Sequence, residues 1–156
     1  MGMDVYGRKP KNEQGEYFRS NVWYWHTTWQ CLEDLHPTIC AKCESPHDNS
    51  GSGLNARDSL TLSKLLKKDL DKGIIEQYIL DFDESIAAIP LEDCSYCKGT
   101  GNRNWDQEDG SVLTKLCNVC NGTLKVKSYL SWYHMSLDLM KEFQVFLENC
   151  GGFNIH

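Results

Sequence analysis

Two pairs of cysteines carry the clearest chemical signal in this sequence. Cys94-Ser95-Tyr96-Cys97-Lys98-Gly99-Thr100-Gly101 is echoed by Cys117-Asn118-Val119-Cys120-Asn121-Gly122-Thr123-Leu124, with nineteen residues between Cys97 and Cys117. That separation lies in the range of a four-cysteine zinc site. A Cys-x-x-Cys turn brings two thiolates to one ion, and the glycine that follows lets the backbone fold back into a knuckle. Two knuckles close a tetrahedron and leave no open position for water. The expected cofactor is therefore one Zn2+ held by Cys94, Cys97, Cys117 and Cys120 in a structural role. Binding it would supply folding energy to a segment with few apolar residues of its own. Iron in the same cage, or redox-active cysteine pairs, are the alternatives, although no thioredoxin-like context accompanies the pairs.

A second, weaker constellation is His36-x-x-x-Cys40-x-x-Cys43-x-x-x-His47, whose residue types suit a Cys2His2 site. Against it, the outer ligands lie close in sequence and Pro37 stiffens the approach. The rival reading makes Cys31, Cys40 and Cys150 small buried hydrophobes. The loop Asp48-Asn49-Ser50-Gly51-Ser52-Gly53 runs into a helical pattern at Leu54. Flexible N–H groups before a helix start can hold an anion, and Asn49, Gly51 and Gly53 are the candidate contacts. No Gly-Lys-Ser follows, so it is not a P-loop. A calcium loop fails at its twelfth position, where Ser59 stands in place of a bidentate Glu. An ordinary capped loop is the plainest alternative. Trp23, Tyr24, Trp25 and Trp29 surround His26. Aromatics this dense form either a ligand wall, with Trp23, Trp25 and His26 as its candidates, or the core on which helices pack. Nothing resembling Gly-x-Ser-x-Gly or His-Glu-x-x-His occurs.

Cys-x-x-Cys-x-Gly-x-Gly is the repeat of the zinc-binding region of DnaJ-type chaperones, which the sequence resembles fully at 94–101 and without the last glycine at 117–124. That region has four repeats and two zinc ions, so two repeats imply one ion here. The His-Pro-Asp signature of the J domain is missing, since His36-Pro37 is followed by Thr38. The resemblance therefore carries the knuckle and not the chaperone activity. More broadly, Met3-Asp-Val-Tyr-Gly-Arg8, Gly15-Glu-Tyr-Phe-Arg-Ser-Asn-Val-Trp23, Gly51-Ser-Gly-Leu-Asn-Ala56, the two knuckles and Gly151-Gly-Phe-Asn-Ile155 look like a family of small uncharacterised proteins of tailed phages and their bacterial hosts. That resemblance brings no established activity. It implies an accessory protein of the host cytoplasm, with a possible anti-defence role.

The elements that must position these residues follow from periodicity. Trp25, Trp29 and Leu32 share one face of a short helix expected over Thr28–Leu35. Leu62, Leu65, Leu66 and Leu70 mark a second helix after an Asn55 or serine cap, and Gly73 ends it. Ile75, Tyr78, Ile79, Phe82, Ile86 and Ile89 mark a third, closed by Pro90 and expected to pack antiparallel on the second. Leu124–Leu130 alternates as a half-buried strand, and Ser136–Asn149 reads as the last helix. The expected fold class is α+β: a mostly helical core with short strands and an inserted four-cysteine zinc-knuckle β-hairpin module. Residues 1–93 would form the helical and aromatic part, 94–130 the module, and 131–156 a helix returning to one compact domain.

Composition bounds the function. The 156 residues are 40% hydrophobic and 24% charged, with no run of eighteen apolar residues and no signal-like start, which points to a cytoplasmic protein that does not enter a membrane. A net charge of -6 disfavours generic nucleic-acid binding. Eight cysteines in a reducing compartment read first as metal ligands. The leading expectation is a zinc-stabilised, non-catalytic binding protein that engages a host protein or small anionic ligand through the aromatic segment and glycine-rich loop. The enzyme alternative is a metal-dependent nucleotide or phosphate hydrolase using Asp48 and Asp58. A nucleic-acid-binding zinc ribbon would need a basic face from Lys98, Arg103, Lys115, Lys125 and Lys127 against Asp106, Glu108 and Asp109.

Overall fold

The computed structural model describes residues 2–156. The chain is an α+β protein that divides into two compact units, one taking the chain up to Ser85 with Tyr133–His156, the other Ile86–Trp132. The expected module at 94–130 lies inside the second unit. Each unit has its own buried centre, one built of side chains from helices and sheet, the other of four cysteines.

In the first unit, β1 (Gly2–Gly7) is the middle strand of an antiparallel sheet, between β2 (Tyr17–Asn21) and β7 (Phe153–Ile155). Val5 faces Phe18 on one side and Ile155 on the other. Alternation turns Met3 and Val5 into the core and leaves Tyr6 exposed. β2 runs into α1 (Val22–Leu35) through Asn21, whose side chain accepts the Tyr24 N–H at 3.1 Å. That cap starts the helix six residues before the expected Thr28. The Trp25, Trp29 and Leu32 stripe is fully buried. Pro37 opens the one-turn helix α2 (Pro37–Cys40).

α3 (Ala56–Asp71) begins at Asn55, which accepts the Asp58 N–H at 2.9 Å and donates to the Asp58 carboxylate at 2.7 Å. Replacing Asn55 by alanine removes both bonds and is expected to lower the unfolding free energy by about 1 kcal/mol, read by urea denaturation. Leu62 and Leu66 fill the core, while Ser63 hydrogen-bonds Gln144 of α5 (Leu137–Asn149). The third helix, α4 (Ile74–Ala87), was expected to lie antiparallel on α3. Instead α5 is the helix that packs along α3, and α4 buries only Ile75 completely and ties Tyr78 to Asp34 of α1 at 2.6 Å. The face of α4 is periodic, but its apolar residues beyond Ile79 are half-buried or exposed.

Phe143 of α5 is the hub of the core. Its ring lies 4.9 Å from Phe18, 5.4 Å from Trp25, 6.4 Å from Trp29, 6.0 Å from Phe146 and 6.3 Å from Phe153. No helix among the described residues is long and apolar enough to cross a membrane.

The second unit has two short ladders. β3 (Glu92–Asp93) pairs with β6 (Lys125–Val126), and β4 (Asn102–Asp106) with β5 (Val112–Leu116), all antiparallel. The strand expected over 124–130 shrinks to two residues. Leu124 takes a left-handed backbone, φ 68°, to close the knuckle, and Tyr129–Trp132 forms a 3-10 turn.

Candidate metal centre

The two cysteine pairs are halves of an internal repeat offset by 23 residues. Lys98 N–H bonds Cys94 O and Asn121 N–H bonds Cys117 O; Thr100 and Thr123 bond back to Cys97 and Cys120. Lys98 and Asn121, Gly99 and Gly122, and Gly101 and Leu124 all have positive φ, between 49° and 80°. Glycine at 99, 101 and 122 takes this geometry without the Cβ strain that an alanine would meet, about 1–2 kcal/mol per position. The halves exchange partners. Cys94 N–H donates to Leu124 O and Cys117 N–H to Gly101 O, each at 2.8 Å. Likewise β3 pairs with β6 while the equivalent residues Lys115 and Leu116 pair with Arg103 and Asn102.

This exchange brings the four sulfurs together. Cys94 Sγ is 3.9 Å from Cys117 Sγ, and Cys97 Sγ is 3.7 Å from Cys120 Sγ. All four lie within 4.8 Å of one another and all four residues are buried. A disulfide needs sulfurs at about 2.05 Å. A tetrahedron with metal–sulfur bonds of about 2.3 Å has edges of about 3.8 Å, so the donor set fits a thiolate-bound ion. Backbone N–H groups favour the ionised form. Those of Cys120 and Val119 help bring the Cys117 thiol down to about 7. Burial opposes ionisation of Cys97, yet Gly101 and Gly99 N–H groups hold it below the ordinary cysteine value. Burial pushes Cys120 up to about 11. A dication at the centre would favour the thiolate form of its ligands.

The remaining candidates do not gather at one site. His36 Nε2 is bound to Asp69 Oδ2 at 2.5 Å, and His47 Nδ1 faces His26 Nδ1 at 2.8 Å. Burial pushes the Cys40 thiol up to about 12 and raises Cys43, whose Sγ meets Ser52 Oγ at 3.3 Å. His36, Cys40, Cys43 and His47 are thus not drawn together into one group. The cysteine quartet is the one group of three or more His, Cys, Asp and Glu close enough to share an ion among the described residues. Cys31 and Cys150 are also fully buried, and burial raises both thiols. Asp58 is taken up by Lys42 at 2.6 Å and by Asn55, while Asp48 is exposed, so the two carboxylates do not build an oxygen-rich site.

The ligand wall is also redistributed. Trp25 is fully buried and its Nε1 donates to Pro46 O at 2.7 Å, whereas Trp23 is half-buried with its ring edge-on to Tyr133 at 5.0 Å. The glycine-rich loop is used by β7: Gly51 N–H donates to Ile155 O, and Ser52 O and Leu54 O accept from Ile155 and Phe153. A Cβ at Gly53 would stand 1.9 Å from Phe153 O, so glycine there permits a close backbone approach. Asn49 lies exposed, reaching Gly2 O at 3.5 Å.

The His26–His47 contact was not visible in the sequence, because twenty residues and a loop separate the rings. A 2.8 Å N–N bond needs one ring to donate an N–H and the other to accept on an unprotonated nitrogen, so it is lost when both rings are protonated. Burial, then the neighbouring His47, lowers the His26 pKa. Protonation is therefore disfavoured in the folded state, and this contribution is present above about pH 6.5 and lost as pH falls through the lowered value. NMR titration is expected to place His26 below 6.5. In His47→Ala the value should rise only in part, since burial is the larger cause.

Compared with known proteins, the chain matches no family model, no curated protein and no solved structure. What the fold and site define is an α+β protein with a buried four-cysteine group able to hold a metal ion.

Proposed function

We propose that this protein is a zinc-stabilised, non-catalytic binding protein. One Zn2+ at Cys94, Cys97, Cys117 and Cys120 organises Ile86–Trp132 into a rigid platform that presents exposed side chains to a partner. The observation that carries the reading is the sulfur tetrahedron, with edges of 3.7 and 3.9 Å, in a unit whose buried cluster is the four cysteines with half-buried Val126 against them. Four thiolates saturate a tetrahedral ion, which leaves it no place for water or substrate and suits a structural role. The partner-binding part is supported by exposure: Tyr96, Val112 and Leu116 are each more than half exposed. Apolar and aromatic side chains left open to solvent in this way support a surface that meets a partner.

Elemental analysis of protein purified without a metal-chelating tag tests the metal. The expected result is one zinc per chain, released with four thiols when a mercurial reagent titrates the cysteines. Iron would announce itself by visible thiolate charge-transfer absorption. A chain that folds with no metal and four freely alkylated thiols would overturn the reading.

A further inference from the structure

We propose that the β4–β5 hairpin carries a binding face for single-stranded nucleic acid, built on Arg103, Lys115, Trp105 and Tyr96. The inference rests on the binding-platform reading above and names its partner. Paired residues of an antiparallel ladder share a face. Arg103 lies opposite Lys115 and Trp105 opposite Leu113, so two cations and a tryptophan occupy one face, while Asn104 opposite Thr114 and Asp106 opposite Val112 occupy the other. The Arg103 guanidinium sits over the Trp105 ring at 4.9 Å and over the Tyr96 ring at 5.3 Å. The result is an aromatic–cation–aromatic stack, with Tyr96 61% and Trp105 40% exposed.

The facing cations of this face are not neutralised within the unit. Like charges directly opposite each other weaken a ladder, yet Arg103 and Lys115 are so placed and neither has a carboxylate within ion-pair distance among the described residues. Lys125 of the same unit, by contrast, is held by Asp93 at 2.6 Å. Arg103 instead donates to Asn118 Oδ1 at 3.0 Å. Of the nearby acids, Asp109 accepts from Ser111 at the hairpin turn, and Asp106 is on the opposite face of the ladder. A concavity of about 510 Å3 adjoins this face at Tyr96 and Arg103, with Lys98 on its wall and Asn104 and Thr114 of the opposite face closing it. Uncompensated cations beside exposed rings match a chain of phosphates whose bases are free to stack. A duplex cannot offer its bases in that way.

The sequence-wide charge of -6 does not bear on this face. Ile86–Trp132 holds five of the 16 Lys and Arg and five of the 22 Asp and Glu, so the net negative charge belongs entirely to the rest of the chain.

The test is fluorescence anisotropy of labelled twelve-nucleotide DNA and RNA strands, of the matching duplex and of an acidic phosphopeptide, using full-length protein whose metal content is measured in each sample. Expected are binding of the single strands at low salt and a log–log salt slope of about -2, from about 0.7 per phosphate met by Lys98, Arg103 and Lys115. Trp105→Ala and Arg103→Ala should each weaken binding about tenfold while keeping the metal. Lys64→Gln on the other unit should change nothing. Metal-loaded protein that binds no strand, binds duplex equally, binds only the phosphopeptide, or is unaffected by both hairpin variants would overturn the proposal and leave the zinc reading intact. Protein that lacks metal yet binds single strands with the same variant losses would keep the nucleic-acid face and overturn the zinc reading.

Discussion

Replacing Cys117 by serine is expected to release the metal and unfold Ile86–Trp132, while the first unit keeps its cooperative transition. The two buried centres share no residue: one is a cluster of aromatic and aliphatic side chains, the other four cysteines with Val126. Metal binding in zinc-finger-sized units is worth about 10–16 kcal/mol, and here few apolar contacts could replace it. Serine removes a ligand and leaves three thiolates crowded within 4.8 Å without a shared ion. Circular dichroism should lose little helix, since no helix of four or more turns lies within that segment. Amide exchange should rise across 92–126 and remain slow at Val5, Leu32 and Phe143. Slow exchange across both units in metal-free Cys117→Ser would show that the cage does not hold the segment together.

The second large effect belongs to the aromatic core. Phe143→Ala removes a fully buried ring that contacts five other aromatics, and should cost about 3–5 kcal/mol. In a protein of this size that lowers the Tm of the first unit by roughly 10–15 °C. Trp25→Ala belongs in the same class, because it also orphans Pro46 O from its 2.7 Å indole bond. Trp23→Ala, at the half-buried Tyr133 contact, should cost only about 1–2 kcal/mol. A Trp25 variant that kept its Tm and lost ligand binding would restore the ligand-wall role.

What could be read from the sequence was whatever depends on near neighbours. The cage is written in local spacing, since each half makes its own turn, and the repeated glycine offset signals the turn geometry. Asn55 and Ser136 are visible caps because their partners lie three residues on. The central sheet was hidden: β7 is three residues long and pairs with β1 from the opposite end of the chain. For the same reason the Gly51–Gly53 loop looked free, its hydrogen-bond partners being residues 153–155. The tryptophan run could not be divided between core and surface, because helical period shows which residues share a face but not what covers it. Trp25 and Trp29 turn inward, and Trp23 stays at the edge. The Arg103–Trp105 face was legible in principle, from alternate residues on either side of Asp109-Gly110, but only once the ladder register was known.

The 23-residue repeat has one asymmetric consequence. Its equivalent parts are 92–103 and 115–126, so the chain enters and leaves the cage through the β3–β6 ladder, and 104–114 extends the β4–β5 ladder as an arm with no counterpart. That arm contributes no sulfur and no knuckle hydrogen bond. Its length and composition can therefore drift, or be exchanged for another loop, without disturbing the cage, much as a tool head is changed on a fixed handle.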